Sequence, residues 1–158
     1  MDFILVFGSV YEHSPWVAEA VYPSLTPGTD AASMAEQMRS VVDTASQKRK
    51  LALLCAHPDL AGRLTLAELT KSSRLEQTGA GLDRCTPEEL GEFLELNAAY
   101  TEKFGFPFIF AVKGYHRQDI LEAFRVRVNN SSDTEFTTAI EQVHRIAKLR
   151  LETITNEN

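Results

Sequence analysis

The sequence predicts an all-α fold, a single-domain bundle of about seven or eight helices over residues 1–158, with one extended apolar connector. Helix-start patterns recur along the chain, as in Ser33-Met34-Ala35-Glu36, Thr86-Pro87-Glu88-Glu89 and Ser132-Asp133-Thr134-Glu135. Apolar residues repeat at helical steps, most clearly Phe136, Ile140, Val143, Ala147 and Ile154. Only one run, Phe106-Pro107-Phe108-Ile109-Phe110-Ala111-Val112, has the length and apolarity of a strand, and no second run could pair with it.

In chain order, helices are expected near residues 13–22, from Ser33 onward, at 47–56, 65–78, 86–103, 116–128 and 132–153. Thr86 is an N-cap followed by proline at the first helical position, where the missing N–H costs nothing, and Gly105 marks the stop. Asn97 falls on the apolar face shared with Leu90, Phe93, Leu94 and Phe104, where its amide would satisfy a backbone group. Trp16 is expected in the core. The run at 106–112 reads as a buried extended connector whose unpaired amides and carbonyls are open to a ligand.

A chain of 158 residues with 44% hydrophobic content suffices for one core, hiding roughly 70% of its unfolded surface without metal or disulfide. The net charge of −6 argues against nucleic acid, and Lys48-Arg49-Lys50 is too short to be more than a solvated face. No apolar stretch approaches the ~20 residues of a membrane span. Phe3-Ile4-Leu5-Val6-Phe7 is too short for a secretory signal and has no basic region before it. The C-terminal Thr155-Asn156-Glu157-Asn158 is not a peroxisomal address. Cys55, inside the apolar run 51–56, is read as a small hydrophobe, and with Cys85 as a reduced thiol of a cytoplasmic protein.

Polar residues placed against the pattern mark the candidate site. Arg150 occupies the step missing between Ala147 and Ile154, within the apolar stripe, whereas Arg145 projects roughly opposite. A buried guanidinium needs a carboxylate, which either the protein or a ligand must supply. His57 lies between an apolar helix and Pro58, which pushes it out of the helical region to a turn. That position suits either a hydrogen-bonding group or a proton donor near neutral pH. Glu76 and Gln77 end a helix ahead of Thr78-Gly79-Ala80-Gly81, which lacks the surroundings of a phosphate cradle. The histidines at 13, 57, 116 and 144 show no metal-ligand spacing, so no metal site is expected.

At these same residues the chain resembles the 2-oxo-4-hydroxy-4-carboxy-5-ureidoimidazoline (OHCU) decarboxylase family. The resemblance is carried by 7–19 (FGSVYEHSPWVAE), 56–62 (AHPDLAG) and 73–77 (SRLEQ) followed by 79–82 (GAGL). It continues through Leu96-Asn97 with Tyr100, then 103–112 (KFGFPFIFAV) and 145–151 (RIAKLRL). It implies cofactor-independent decarboxylation of OHCU to (S)-allantoin and CO2, by a homodimer, with His57 and Glu76 as catalytic groups. Substrate-lining positions carry over to Pro58, to Ser73, Arg74, Leu75 and Gln77, and to Phe108, Ile109, Phe110, Ala111 and Val112. The family's C-terminal arginine matches Arg145 or Arg150, and helical periodicity selects Arg150 as the third catalytic residue. Other readings of the residues are a helical decarboxylase or hydrolase of a related ureide, or a non-catalytic helical interaction module.

Overall fold

The computed structural model describes residues 3–57 and 86–157. Among these the chain forms seven α-helices: α1 (Phe3–Phe7), α2 (Trp16–Val21), α3 (Ala31–Asp43), α4 (Gln47–Ala56), α5 (Pro87–Phe104), α6 (Arg117–Arg127) and α7 (Ser132–Glu157). A single 3-10 turn, Tyr22–Ser24, follows α2, and no strand occurs among the described residues. The helix expected at 65–78 lies outside them.

Local chemistry sets most boundaries. Thr86 forms the full capping box: its hydroxyl accepts from the Glu89 N–H at 3.1 Å while the Glu89 carboxylate accepts from the Thr86 N–H at 3.0 Å. The same helix ends on Gly105 in the left-handed region (φ 77°), a conformation open to glycine because it has no Cβ. The helix expected at 13–22 is shorter. His13 takes a positive φ of 52°, Pro15 precedes the first turn, and Pro23 has no N–H with which to continue it.

Two caps differ from expectation. Asp30 caps α3, accepting from the Ser33 N–H at 2.8 Å, so Ser33 sits inside the first turn. At α7 the accepting hydroxyl belongs to Ser131, which takes the Thr134 N–H at 3.2 Å, and Glu135 is buried instead of reaching back. Aspartate and serine cap equally well, so a Ser-x-x-Glu pattern alone does not select among adjacent candidates.

The chain divides into two compact units, Met1–His57 with Ile140–Asn158, and Pro58–Ala139. In the first, α2 packs against α3, and Val17, Ala18, Val21, Met34, Met38, Val42, Leu53 and Leu54 are buried. Cys55 is exposed, because the run at 51–56 turns only Leu53 and Leu54 inward. Trp16 is half-buried at the surface under Arg49, whose guanidinium carbon lies 4.1 Å from its ring centroid.

In the second unit Phe93, Tyr100, Ile120, Leu121 and Phe124 are buried from α5 and α6. The Tyr100 ring meets Phe104, Phe106, Phe108 and Phe124. Residues 106–112 are in neither helix nor strand and are buried except for a half-buried Phe110. Leu90 and Leu94, expected on the apolar face of α5, are 37% and 42% exposed; the inward face is Phe93, Asn97 and Tyr100.

Candidate active site

His57 caps the C-terminus of α4 with extended backbone (φ −72°, ψ 138°), the conformation that Pro58 imposes on the residue before it. Its N–H donates to the Leu54 carbonyl at 3.2 Å, and its side chain is buried, with the residue 5% exposed. A proline-broken helix end thus leaves a buried histidine at the C-terminus of α4.

Arg150 is buried on α7 and Arg145 is exposed, the rotation that periodicity predicts. The carboxylate that Arg150 requires comes from the protein: Nη1 donates to Glu12 Oε2 at 2.7 Å and to the Val10 carbonyl at 3.4 Å. The two side chains are 3% and 0% exposed. Glu12 reaches inward from the turn that His13 closes in its left-handed conformation. Sequence reasoning did not single out Glu12. The available signal was a carboxylate in the 7–19 motif, next to a residue able to adopt positive φ.

A second polar chain in this unit was also missed. The Tyr11 hydroxyl lies 2.8 Å from His144 Nδ1, and His144 Nε2 lies 2.9 Å from Asp43 Oδ1. An ionised carboxylate only accepts, so in neutral His144 Nε2 carries the proton and Nδ1 accepts from Tyr11. Burial holds the imidazole below its ordinary pKa, with Asp43 pulling the other way. Burial, and then the nearby Asp43 charge, pushes the Tyr11 hydroxyl well above its usual range, which keeps it a donor. Arg39 ties Asp43 to Glu141 at the surface.

The second unit holds the expected substrate-lining run. Phe108, Ile109, Ala111 and Val112 are buried. Two of the carbonyls expected to be open are engaged: Ile109 accepts from Arg127 Nη1 at 2.7 Å and Val112 from the Tyr115 N–H at 3.0 Å. Asn97 does not satisfy a backbone group through its carbonyl; its buried Oδ1 has no hydrogen-bond partner among the described residues. Pro58, Ser73, Arg74, Leu75, Glu76 and Gln77 lie outside the described residues. The structure therefore puts His57 and Arg150 in one unit and Phe108–Val112 in the other. Among the described residues no three His, Cys, Asp or Glu side chains gather as a metal would require, and no helix is long and apolar enough to cross a membrane.

These features define a class: small all-helical proteins that hold ionisable side chains in their interior, at helix ends and on inward helix faces. The sequence profile of OHCU decarboxylase matches residues 1–152. The OHCU decarboxylase of Haloferax volcanii is 44% identical over 150 residues, covering 95% of this chain and 87% of that protein. The uric acid degradation bifunctional protein of Bacillus sp. (strain TB-90) is 38% identical over 156 residues, covering 99% of this chain and 30% of that one. A crystal structure of (S)-allantoin synthase superposes with a TM-score of 0.75 at 36% identity, covering 96% of this chain and 49% of that one. The chain belongs to the OHCU decarboxylase family.

Proposed function

We propose that this chain decarboxylates OHCU to (S)-allantoin and CO2 in urate degradation, as a single domain and without a cofactor. The observation that carries the reading is the family match over residues 1–152, supported by 44% identity to a protein named for this reaction.

The chemistry suits interior acid–base groups. Loss of CO2 breaks one C–C bond, and its electron pair moves toward the adjacent C=N bond of the substrate itself. Many enzymes import a cofactor as such a sink. What remains for the protein is orientation, removal of the hydroxyl proton as that carbon becomes a carbonyl, and delivery of protons to the ring nitrogen that received the electron pair and to one face of the neighbouring carbon. His57 is the proposed acid–base group, supported by its burial and by the backbone that Pro58 fixes. Glu76 is proposed to share the proton transfers. Arg150 is proposed to act on the substrate's anionic or carbonyl oxygens, with its fork already oriented by Glu12. Pro58, Ser73, Arg74, Leu75, Gln77 and the Phe108–Val112 run are proposed to line the substrate. A homodimer is proposed on the family resemblance, and a cytoplasmic location on the reading of the cysteines as reduced thiols.

The test is incubation of freshly generated OHCU with the protein while the optical rotation of allantoin is followed. Accelerated formation of one enantiomer is expected, and a rate equal to the uncatalysed one overturns the reading. His57→Asn should keep the helical circular dichroism and lower turnover by roughly two to four orders of magnitude. Wild-type turnover in that variant would remove His57 from the mechanism.

A further inference from the structure

The second unit contains a buried polar cluster that the proposed chemistry leaves unused. Arg127, at the end of α6, meets Glu135, in the first turns of α7, side-on. Its Nε lies 3.2 and 3.1 Å from the two carboxylate oxygens, and Nη2 lies 3.0 Å from Oε2. Their side chains are 9% and 0% exposed. The Tyr100 hydroxyl and the Asn130 amide donate to the same carboxylate. The remaining nitrogen, Nη1, donates to the Ile109 carbonyl at 2.7 Å. The guanidinium carbon also sits 4.5 Å from the centroid of the Phe108 ring, which is itself stacked on Phe124 at 3.8 Å.

A buried ion pair is a poor way to gain stability alone, since apolar replacements of similar volume often do as well or better. Its distinctive property is direction: a planar guanidinium held side-on by a carboxylate keeps the N–H bonds of its remaining nitrogen, Nη1, on fixed lines. Here one of those lines ends on the backbone of the connector. The connector has no strand ladder to set its position along its own axis, and a shift along that axis would move each of its buried side chains out of the space it fills. The bond to Ile109 and the contact with Phe108 pin two consecutive residues of the run against that shift.

We infer that Arg127 is a positioning residue, which fixes the Phe108–Val112 run and thereby sets how tightly that run holds the substrate. The inference rests on the reading that this run lines the substrate site. Lysine at 127 retains the charge opposite Glu135, but a single ammonium does not reproduce the fork that reaches Ile109.

Arg127→Lys should raise KM for OHCU by about tenfold while kcat stays within about threefold, the signature of lost uniform binding. A role in stability alone would lower apparent kcat through a smaller folded fraction and leave KM unmoved. Arg125→Gln, which removes an exposed ion pair with Glu92 from the same helix, should leave KM unchanged. A folded Arg127→Lys protein with wild-type KM overturns the inference. Should that variant not fold, the unmodified protein decides. Titration with (S)-allantoin should shift the Arg127 Nε–H resonance, and an unmoved resonance at saturation overturns the inference. Absence of OHCU turnover in the unmodified protein would instead count against the decarboxylase reading.

Discussion

Glu12 and Arg150 form a pair whose worth lies in each being present for the other. Both are desolvated, and removing one partner of a buried pair costs about 3–5 kcal/mol, whereas exchanging both for apolar groups is often neutral. Arg150→Met should therefore destabilise by about that amount, beyond any effect on turnover. Glu12→Gln combined with Arg150→Met should recover part of the loss, measured as a double-mutant cycle in urea. Additive losses in the cycle would show that the two residues act separately. Arg145→Met should change stability by no more than about 0.5 kcal/mol, as an exposed side chain.

His144 adds a pH dependence at the same scale. Its folded pKa lies below the ordinary 6.5 because burial disfavours the cation. Between the folded and unfolded values the unfolded chain binds more protons, so stability rises with pH there. The contribution is fully present above about pH 6.5 and is lost as pH falls through the folded value. Protonation also leaves two donors facing Tyr11 and Asp43, so the Tyr11 hydroxyl loses its acceptor. Urea midpoints from about pH 8 to about pH 5 should fall on the acid side, and His144→Gln, which can still accept from Tyr11 and donate to Asp43, should flatten that fall. An equal fall in both proteins would assign the acid sensitivity elsewhere.

Helices carry the next layer of information, much of it local. The start and stop of α5 were legible because a capping box, a first-turn proline and a left-handed glycine all act within a few residues. Thr86→Ala should cost about 1 kcal/mol in thermal or urea unfolding. Ser33→Ala should cost much less than Asp30→Ala, because Asp30 holds the α3 cap. Equal losses at the two positions would contradict the observed cap. The connector was legible for a different reason: an apolar run containing Pro107, without a partner strand, has little alternative to a buried coil. Its use of carbonyls was not legible. Whether Ile109 meets a ligand or Arg127 depends on where α6 ends, and nothing in residues 106–112 encodes that.

At the scale of the molecule, the proposed reaction needs no imported electrophile, so EDTA should leave decarboxylation unchanged. Loss of activity on chelation, restored by one added metal, would overturn that. The sequence by itself determined the all-helical class, the connector, the inward rotation of Arg150 and the family resemblance. Periodicity, caps and motif order are written in short windows and are governed by backbone hydrogen bonding and about 100° of rotation per residue. Only the tertiary structure decided which charges meet. Arg150 and Glu12 are 138 residues apart, and Tyr11 and His144 are 133 apart. Glu135 reads locally as a capping carboxylate and is spent on Arg127 instead. A surface cap is worth about 1 kcal/mol, whereas an uncompensated buried charge costs several, so long-range pairing overrides the local signal wherever the chain brings a buried cation within reach.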